Sequence, residues 1–188
     1  MDEESRPSVA FVAVGSNIDP QKNIAAALLA LVSRAWVASS STFYRTEPVG
    51  REDQPPFVNG VWRIDTTLEP LQIKNGLLQT VERKLGRQRT ADTFAPRTID
   101  LDLVLYDDLV LDNADLRLPH PDLVRPFVCT PIRELLERDN SGIDPRLRER
   151  IAKLLPGDAP GPQPGEPLAE LTEQLTRLLD QSARQHAG

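Results

Sequence analysis

Pro96-Arg97-Thr98-Ile99-Asp100-Leu101-Asp102-Leu103-Val104-Leu105 is the stretch on which the reading of this chain turns. From Ile99 to Tyr106 it reads as a strand. Side chains alternate along a strand, so Asp100 and Asp102 share one face, while Leu101, Leu103 and Leu105 share the other. Aspartate is disfavoured in strands, and two carboxylates on one face repel each other. A divalent cation offsets that repulsion, and Mg²⁺ suits carboxylate oxygens combined with phosphate oxygens. The alternative is a solvated strand face whose acids pair with nearby arginines, and spacing alone leaves both open.

Working upstream, Arg87, Arg89 and Arg97 bracket a polar loop whose one acid is Asp92. Arginine grips phosphate through a planar fork of donors. Carboxylates beside several arginines match what phosphoryl transfer requires, namely positioning and neutralisation of the transferred group. Before that loop, Leu77, Leu78, Val81 and Leu85 mark the buried side of a helix that starts at Pro70 and ends at Gly86. Gln79 and Glu82 lie on one face of it, one turn before the arginines, so Glu82 can orient Arg87 or Arg89 or simply face solvent. Phe57 to Thr67 alternates as a strand, with Phe57 and Asn59 on one face. Arg45 to Pro56 is an exposed loop with three prolines, and Val37 to Tyr44 reads as one strand. Asp19-Pro20 opens a first helix on Ile24, Leu28, Leu31 and Val32. Val9 to Val14 is a continuous apolar run that reads as a buried strand ending in Gly15-Ser16-Asn17. The order β-α-β-β-α-β predicts a ferredoxin-like α+β sandwich, a mostly antiparallel four-stranded sheet with two covering helices.

Downstream, Asp107-Asp108 turns into a short hairpin around Leu109 to Leu118. After Pro119-His120-Pro121 come a basic turn with Arg125, the apolar run Phe127-Val128-Cys129, and a short helix near Ile132 to Leu136. Gly157 to Pro167 holds four prolines and three glycines, which is linker composition. Leu168, Leu171, Leu175, Leu178 and Leu179 then form a helical stripe, read as a tail helix docking on the domain. The expected division is a disordered N-terminus at 1–8, a catalytic domain at 9–156, a linker at 157–167 and the tail at 168–188.

With 188 residues, 39% hydrophobic and 27% charged, the composition is that of a globular protein. No apolar run is long enough to span a membrane, and the acidic N-terminus does not resemble a signal peptide. The single cysteine, Cys129, permits no internal disulfide and is expected to be buried; a cytoplasmic setting is expected. The net charge of −6 argues against nucleic acid or an anionic membrane as partner. The two common glycine-rich phosphate loops, a zinc cluster and a nucleophile elbow are all absent from the sequence.

Taken together, these segments resemble the 6-hydroxymethyl-7,8-dihydropterin pyrophosphokinase family, from Val9 to Leu136. The resemblance rests on Gly15-Ser16-Asn17, Tyr44-Arg45-Thr46 with Pro48 and Gly50, Gln54-Pro55 with Phe57 and Asn59, Glu82 with Leu85-Gly86-Arg87 and Arg89, the Pro96 to Leu105 block, Leu118-Pro119-His120-Pro121, and Arg125 with Phe127. It implies transfer of pyrophosphate from ATP to the pterin hydroxymethyl group, with release of AMP, in folate biosynthesis. It also implies two Mg²⁺ ions held by Asp100 and Asp102, with Arg87 and Arg97 on the transferring groups. Gln79, Glu82, Arg89, Leu103, His120 and Arg125 would line the ATP side. Thr46, Val49, Phe57, Asn59, Phe94, Asp100 and Phe127 would line the pterin side, Phe57 and Phe127 stacking on its two faces. The chain departs from the family at Thr93, usually a basic residue, and at Phe94, where tryptophan often stands. Partners would be small-molecule substrates only, and a monomer is expected, with a homodimer left open.

Two other readings compete with this one. A nucleotidyltransferase of polymerase type also places two strand aspartates on such a sheet, but would need a basic track for nucleic acid. A degenerate binding module would be expected to have lost Asp100, Asp102 or Arg97, and all three are present.

Overall fold

The computed structural model describes residues 6–48, 53–87, 95–138, 142–157 and 164–186. In chain order the first elements are β1 (Ser8–Ser16), α1 (Pro20–Val32), β2 (Trp36–Ser40), β3 (Tyr44–Thr46) and β4 (Phe57–Thr66). A π-helical stretch, Gln72–Leu78, runs on into α2 (Gln79–Lys84) and is followed by β5 (Asp100–Tyr106). Then come β6 (Leu111–Asp112), β7 (Arg117–Leu118), a 3-10 turn at Pro121–Val124, α3 (Pro126–Glu137), α4 (Pro145–Leu154), β8 (Glu166–Pro167) and α5 (Ala169–His186).

β1 lies near the middle of the sheet, antiparallel to β4 on one edge and to β5 on the other. Both of its faces are covered, which is why its sequence is a continuous apolar run rather than an alternating one. Ala10, Val12 and Val14 join a core with Ile24, Leu28 and Leu31 of α1, Ile73, Leu77, Leu78 and Val81 of the second helix, and Leu171 and Leu175 of α5. Val9 and Phe11 face the opposite way, into a second core with Val128, Ile132 and Leu135 of α3 and Leu147 and Ile151 of α4. Each fully buried side chain of this size contributes roughly 1.5–3 kcal/mol. The α+β class and the antiparallel sheet match the reading from sequence. The helices, however, cover both faces of the sheet.

Four local features differ from that reading. The second strand is broken into β2 and β3, both on the outer edge of β4. In the break, the Ser41 backbone N–H donates to Val61 O (2.9 Å), and the Ser41 hydroxyl accepts from the Val61 N–H (2.9 Å). Phe43 then turns under the sheet against Gly60, where a Cβ would come within 2.6 Å of its ring. Second, a register shift between Phe11 and Val12 opposite β5 puts Val104 and Leu105 both on the α3 side. Leu105 therefore does not share a face with Leu101 and Leu103. Third, Cys129 is half-buried rather than buried, because Phe127-Val128-Cys129 lies in helix α3, and of the three only Val128 is fully buried. Fourth, α4 was not foreseen; Asp144 caps it by accepting from Arg146 N (2.9 Å) and Leu147 N (3.1 Å).

The segment read as linker ends in β8, which pairs with β3, and Leu168 N donates to Phe43 O at 2.8 Å. Among the described residues no helix is long and apolar enough to cross a membrane.

Candidate active site

The sheet face bearing Asp100 and Asp102 runs past the end of the α3 core, and the space left there is a cavity of about 360 Å³. It is lined by residues from five elements, including Gly15 of β1, Thr46 of β3, Phe57 and Asn59 of β4, both aspartates of β5, and Phe127 of α3. Arg97, Asp122 and Arg125 close its rim.

Gly15 forms the floor. It pairs with Asn59 on one side and Asp100 on the other, and a Cβ there would lie 2.7 Å from Asn59 Oδ1. Asn59 donates through Nδ2 to Thr46 Oγ1 at 2.7 Å, so its amide is fixed in orientation at the slot. An arginine lies over each aromatic wall: the Arg97 guanidinium 5.7 Å from the centre of the Phe57 ring, and that of Arg125 5.9 Å from Phe127.

The acid and arginine cluster is built by the end of the second helix. Gly86, at φ 73°, takes the left-handed conformation; Gly86 N donates to Arg83 O (3.1 Å) and Arg87 N to Glu82 O (3.0 Å). This αL helix ending delivers Arg87 back beside Glu82. The Arg87 guanidinium bonds both Glu82 and Asp100, and Arg97 bonds the other Asp100 oxygen. Burial works against the Arg87 charge, but Asp100 and then Glu82 outweigh it and hold its pKa above the ordinary value. Glu82, only 2% exposed, also accepts the Leu101 N–H at 2.9 Å. One carboxylate thus fixes both an arginine and the backbone between the two aspartates. Burial, and then the charge of Asp100, push the Asp102 carboxyl up to about 7.

Asn17 ties the loops together. Its Oδ1 accepts Arg97 N (2.8 Å), its backbone N–H donates to Arg97 O (3.2 Å), and its Nδ2 donates to Gln54 (3.0 Å). Ser16 Oγ donates to Thr98 O at 2.6 Å. Burial lowers the His120 pKa, opposed by Asp122, so the imidazole is neutral. Its Nδ1 accepts Asp122 N (3.2 Å), which puts the proton on Nε2.

The structure therefore brings together Thr46, Phe57, Asn59, Arg97, Asp100, Asp102, Arg125 and Phe127 as cavity lining, with Arg87 and Glu82 beside Asp100. Gln79 is turned to Asn75 Oδ1 (3.2 Å) on its own helix. Leu103, assigned to the ATP side, is 3% exposed in the core on the opposite face, so its side chain is not placed to touch a nucleotide in this cavity. Val49, Arg89 and Phe94, like Thr93, lie outside the described residues. Sequence reasoning did not assign Gly15, Asn17 or Asp122 a place at the site. The Gly15-Ser16-Asn17 turn was the available signal for the first two.

Among the described residues no three His, Cys, Asp or Glu side chains cluster to hold a metal. Two carboxylates on one face fit Mg²⁺, which commonly takes one or two protein carboxylates and completes its shell with water and phosphate oxygens.

A family profile for 7,8-dihydro-6-hydroxymethylpterin-pyrophosphokinase matches residues 11–137. The chain belongs to this family. It is 38% identical over 150 residues to the 2-amino-4-hydroxy-6-hydroxymethyldihydropteridine pyrophosphokinase of Haemophilus influenzae, covering 76% of this chain and 92% of that one. The proteins of the same name from Synechocystis and Bacillus subtilis are 37% and 36% identical, over 78% and 70% of this chain and 74% and 80% of theirs. As a pyrophosphokinase family member, the chain is an ATP-using transferase of folate biosynthesis. Its α+β fold agrees with the family's ferredoxin-like architecture.

Proposed function

We propose that the cavity is where pyrophosphate passes from ATP to the hydroxymethyl group of 6-hydroxymethyl-7,8-dihydropterin, with AMP leaving. The observation that carries this assignment is the meeting, in one cavity, of the Asp100–Asp102 face and Arg97 with a slot made of Phe57, Phe127, Asn59 and Thr46. The pterin ring lies between the two phenylalanines, and the Asn59 amide and Thr46 hydroxyl read its hydrogen-bonding edge. Arg125 and the Nε2–H of His120 serve the nucleotide, and Gln79, Glu82 and Arg89 are assigned to the same substrate. Val49 and Phe94 are assigned to the pterin.

Asp100 and Asp102 would hold two Mg²⁺ ions. When bound, Mg²⁺ neutralises phosphate charge and makes the substrate hydroxyl easier to deprotonate. Arg97 and Arg87 exchange their bonds with Asp100 for bonds to the transferred phosphates, stabilising the charge that develops there. The hydroxymethyl oxygen attacks the β-phosphorus in line. The enzyme acts on small molecules, in the cytoplasm, as a monomer or a homodimer.

Incubation with Mg²⁺, ATP and the pterin is expected to yield AMP and pterin pyrophosphate; ADP as product, or no turnover, would overturn the proposal. Gly15→Ala gives a finer check. The new methyl forces the Asn59 amide from its place, so KM for the pterin is expected to rise about tenfold, with KM for ATP within about twofold. Equal rises in both constants in steady-state kinetics would remove Asn59 from the pterin slot.

A further inference from the structure

We propose that Tyr44 and Glu134 form a tie that sets the position of Thr46 at the edge of the pterin slot, and so act as positioning residues for pterin binding. This rests on the slot assigned above. The walls of that slot belong to elements held in different ways. Phe57 and Asn59 sit on β4, and Phe127 on the first turn of α3. These two elements are locked together, because Val61 of β4 packs with Val128, Ile132 and Leu135 of α3.

Thr46 is carried by β3, which is only three residues long. β3 pairs with β4 from Tyr44↔Asn59 to Thr46↔Phe57, and on its other edge with the two residues of β8. So short a strand has little of its own to fix its tilt toward α3. Tyr44 and Thr46, two apart, point to the same face. The Tyr44 hydroxyl donates to Glu134 Oε1, and Glu134 Oε2 accepts the Thr42 N–H at 3.1 Å. Glu134 thus holds both the side chain that opens β3 and the backbone just before it.

Phe127 and Glu134 are seven residues apart on α3, which is two turns, so they lie on one face about 10 Å from each other. One rigid helix therefore carries an aromatic wall of the slot near one end and, further along, the anchor of the strand that brings Thr46 to the slot's hydrogen-bonding edge. Burial, with Glu134 adding to it, pushes the Tyr44 phenol up to about 12. The hydroxyl consequently stays protonated and donates to a carboxylate, the stronger class of hydrogen bond. The acid and arginine cluster stands on β5 and the end of α2, outside this tie, so loosening it acts on pterin and spares ATP.

Tyr44→Phe removes one oxygen and keeps the ring. Tyr44→Phe and Glu134→Ala are each expected to raise KM for the pterin about five- to tenfold, with kcat and KM for ATP within about twofold. Because the two residues act as one unit, the double variant is expected to be within about twofold of Glu134→Ala alone. An unchanged pterin KM, a parallel rise in both KM values, or multiplying effects in the double variant would each overturn the tie. Asn59→Ala, measured alongside, separates the two levels. If it raises the pterin KM while Tyr44→Phe does not, the tie alone fails. If it leaves the pterin KM unchanged, the slot assignment fails and takes the tie with it.

Discussion

Asn in place of Asp102 is expected to lower turnover at least about 10³-fold, about 4 kcal/mol of lost transition-state stabilisation, while making the metal-free protein more stable at alkaline pH. The loss follows from the proposed metal site: an amide keeps the shape but offers no negative charge to a cation. The gain in stability has a definite sign. In the fold, burial and then Asp100 raise the Asp102 pKa from 3.8 to about 7. Between those two values the folded state binds the proton more tightly than the unfolded chain does. Stability contributed by this group is therefore fully present below about pH 4 and is lost as pH rises through about 7. Asparagine is neutral throughout and escapes that loss. Allowing for screening at a partly exposed carboxyl, the difference at pH 8 is about 2 kcal/mol, or roughly 5 °C in Tm. At pH 4 the two proteins are expected to melt together. Thermal unfolding in chelator at both pH values, with the AMP-release assay, tests both halves. A lower Tm at pH 8, or more than about a tenth of normal turnover, would remove Asp102 from this role.

That strain was partly visible in the amino-acid order. Two aspartates at alternate positions of an otherwise apolar strand contradict local preference, and such contradictions mark functional positions. The β-α-β-β-α-β order was also legible, because it depends on local periodicity in segments such as Val9 to Val14 and Ile24 to Leu31. What was not legible depends on partners distant in sequence. The break between β2 and β3 arises because Phe43 needs the space above Gly60, seventeen residues on. The turn of Leu105 to the α3 side follows from a register shift against β1. Helix α4 shows only two fully buried residues inside its span, Leu147 and Ile151, too few to stand out in a charged segment.

The site divides in the same way. Residue type and spacing pointed to Asp100, Asp102 and the arginines. Spacing left Glu82 open between the arginine loop and solvent, and could not say that it also holds Leu101 N and so sets the strand between the aspartates. Asn17 looked like a turn residue. Its three contacts with Arg97 and Gln54 exist only once two loops have folded against it.

Those contacts give the second large effect. Arg97→Ala is expected to reduce kcat about 10³-fold with only a few-fold change in either KM, because arginines that stabilise a transferring phosphoryl group contribute on this scale. Arg97 is placed for that role. Its guanidinium reaches Asp100 while lying over the Phe57 ring, so it stands between the proposed metal-binding face and the proposed pterin slot, where the transferred group is expected to pass. Its backbone is held by Asn17 through both N–H and C=O, contacts that the alanine variant keeps. The loop and the fold are therefore expected to persist, with Tm within a few degrees of the parent. Arg87→Ala differs, since it breaks the ion pair with the buried Glu82 carboxylate, a change expected to cost about 3–5 kcal/mol of stability. Arg97→Lys restores the charge but not the planar fork that can bridge carboxylate and phosphate, so it is expected to recover no more than about tenfold of the loss. Single-turnover measurement of pterin pyrophosphate formation isolates the chemical step. A normal single-turnover rate in Arg97→Ala, or full rescue by lysine, would show that Arg97 acts on binding alone and leave the charge of the transferring group to Arg87.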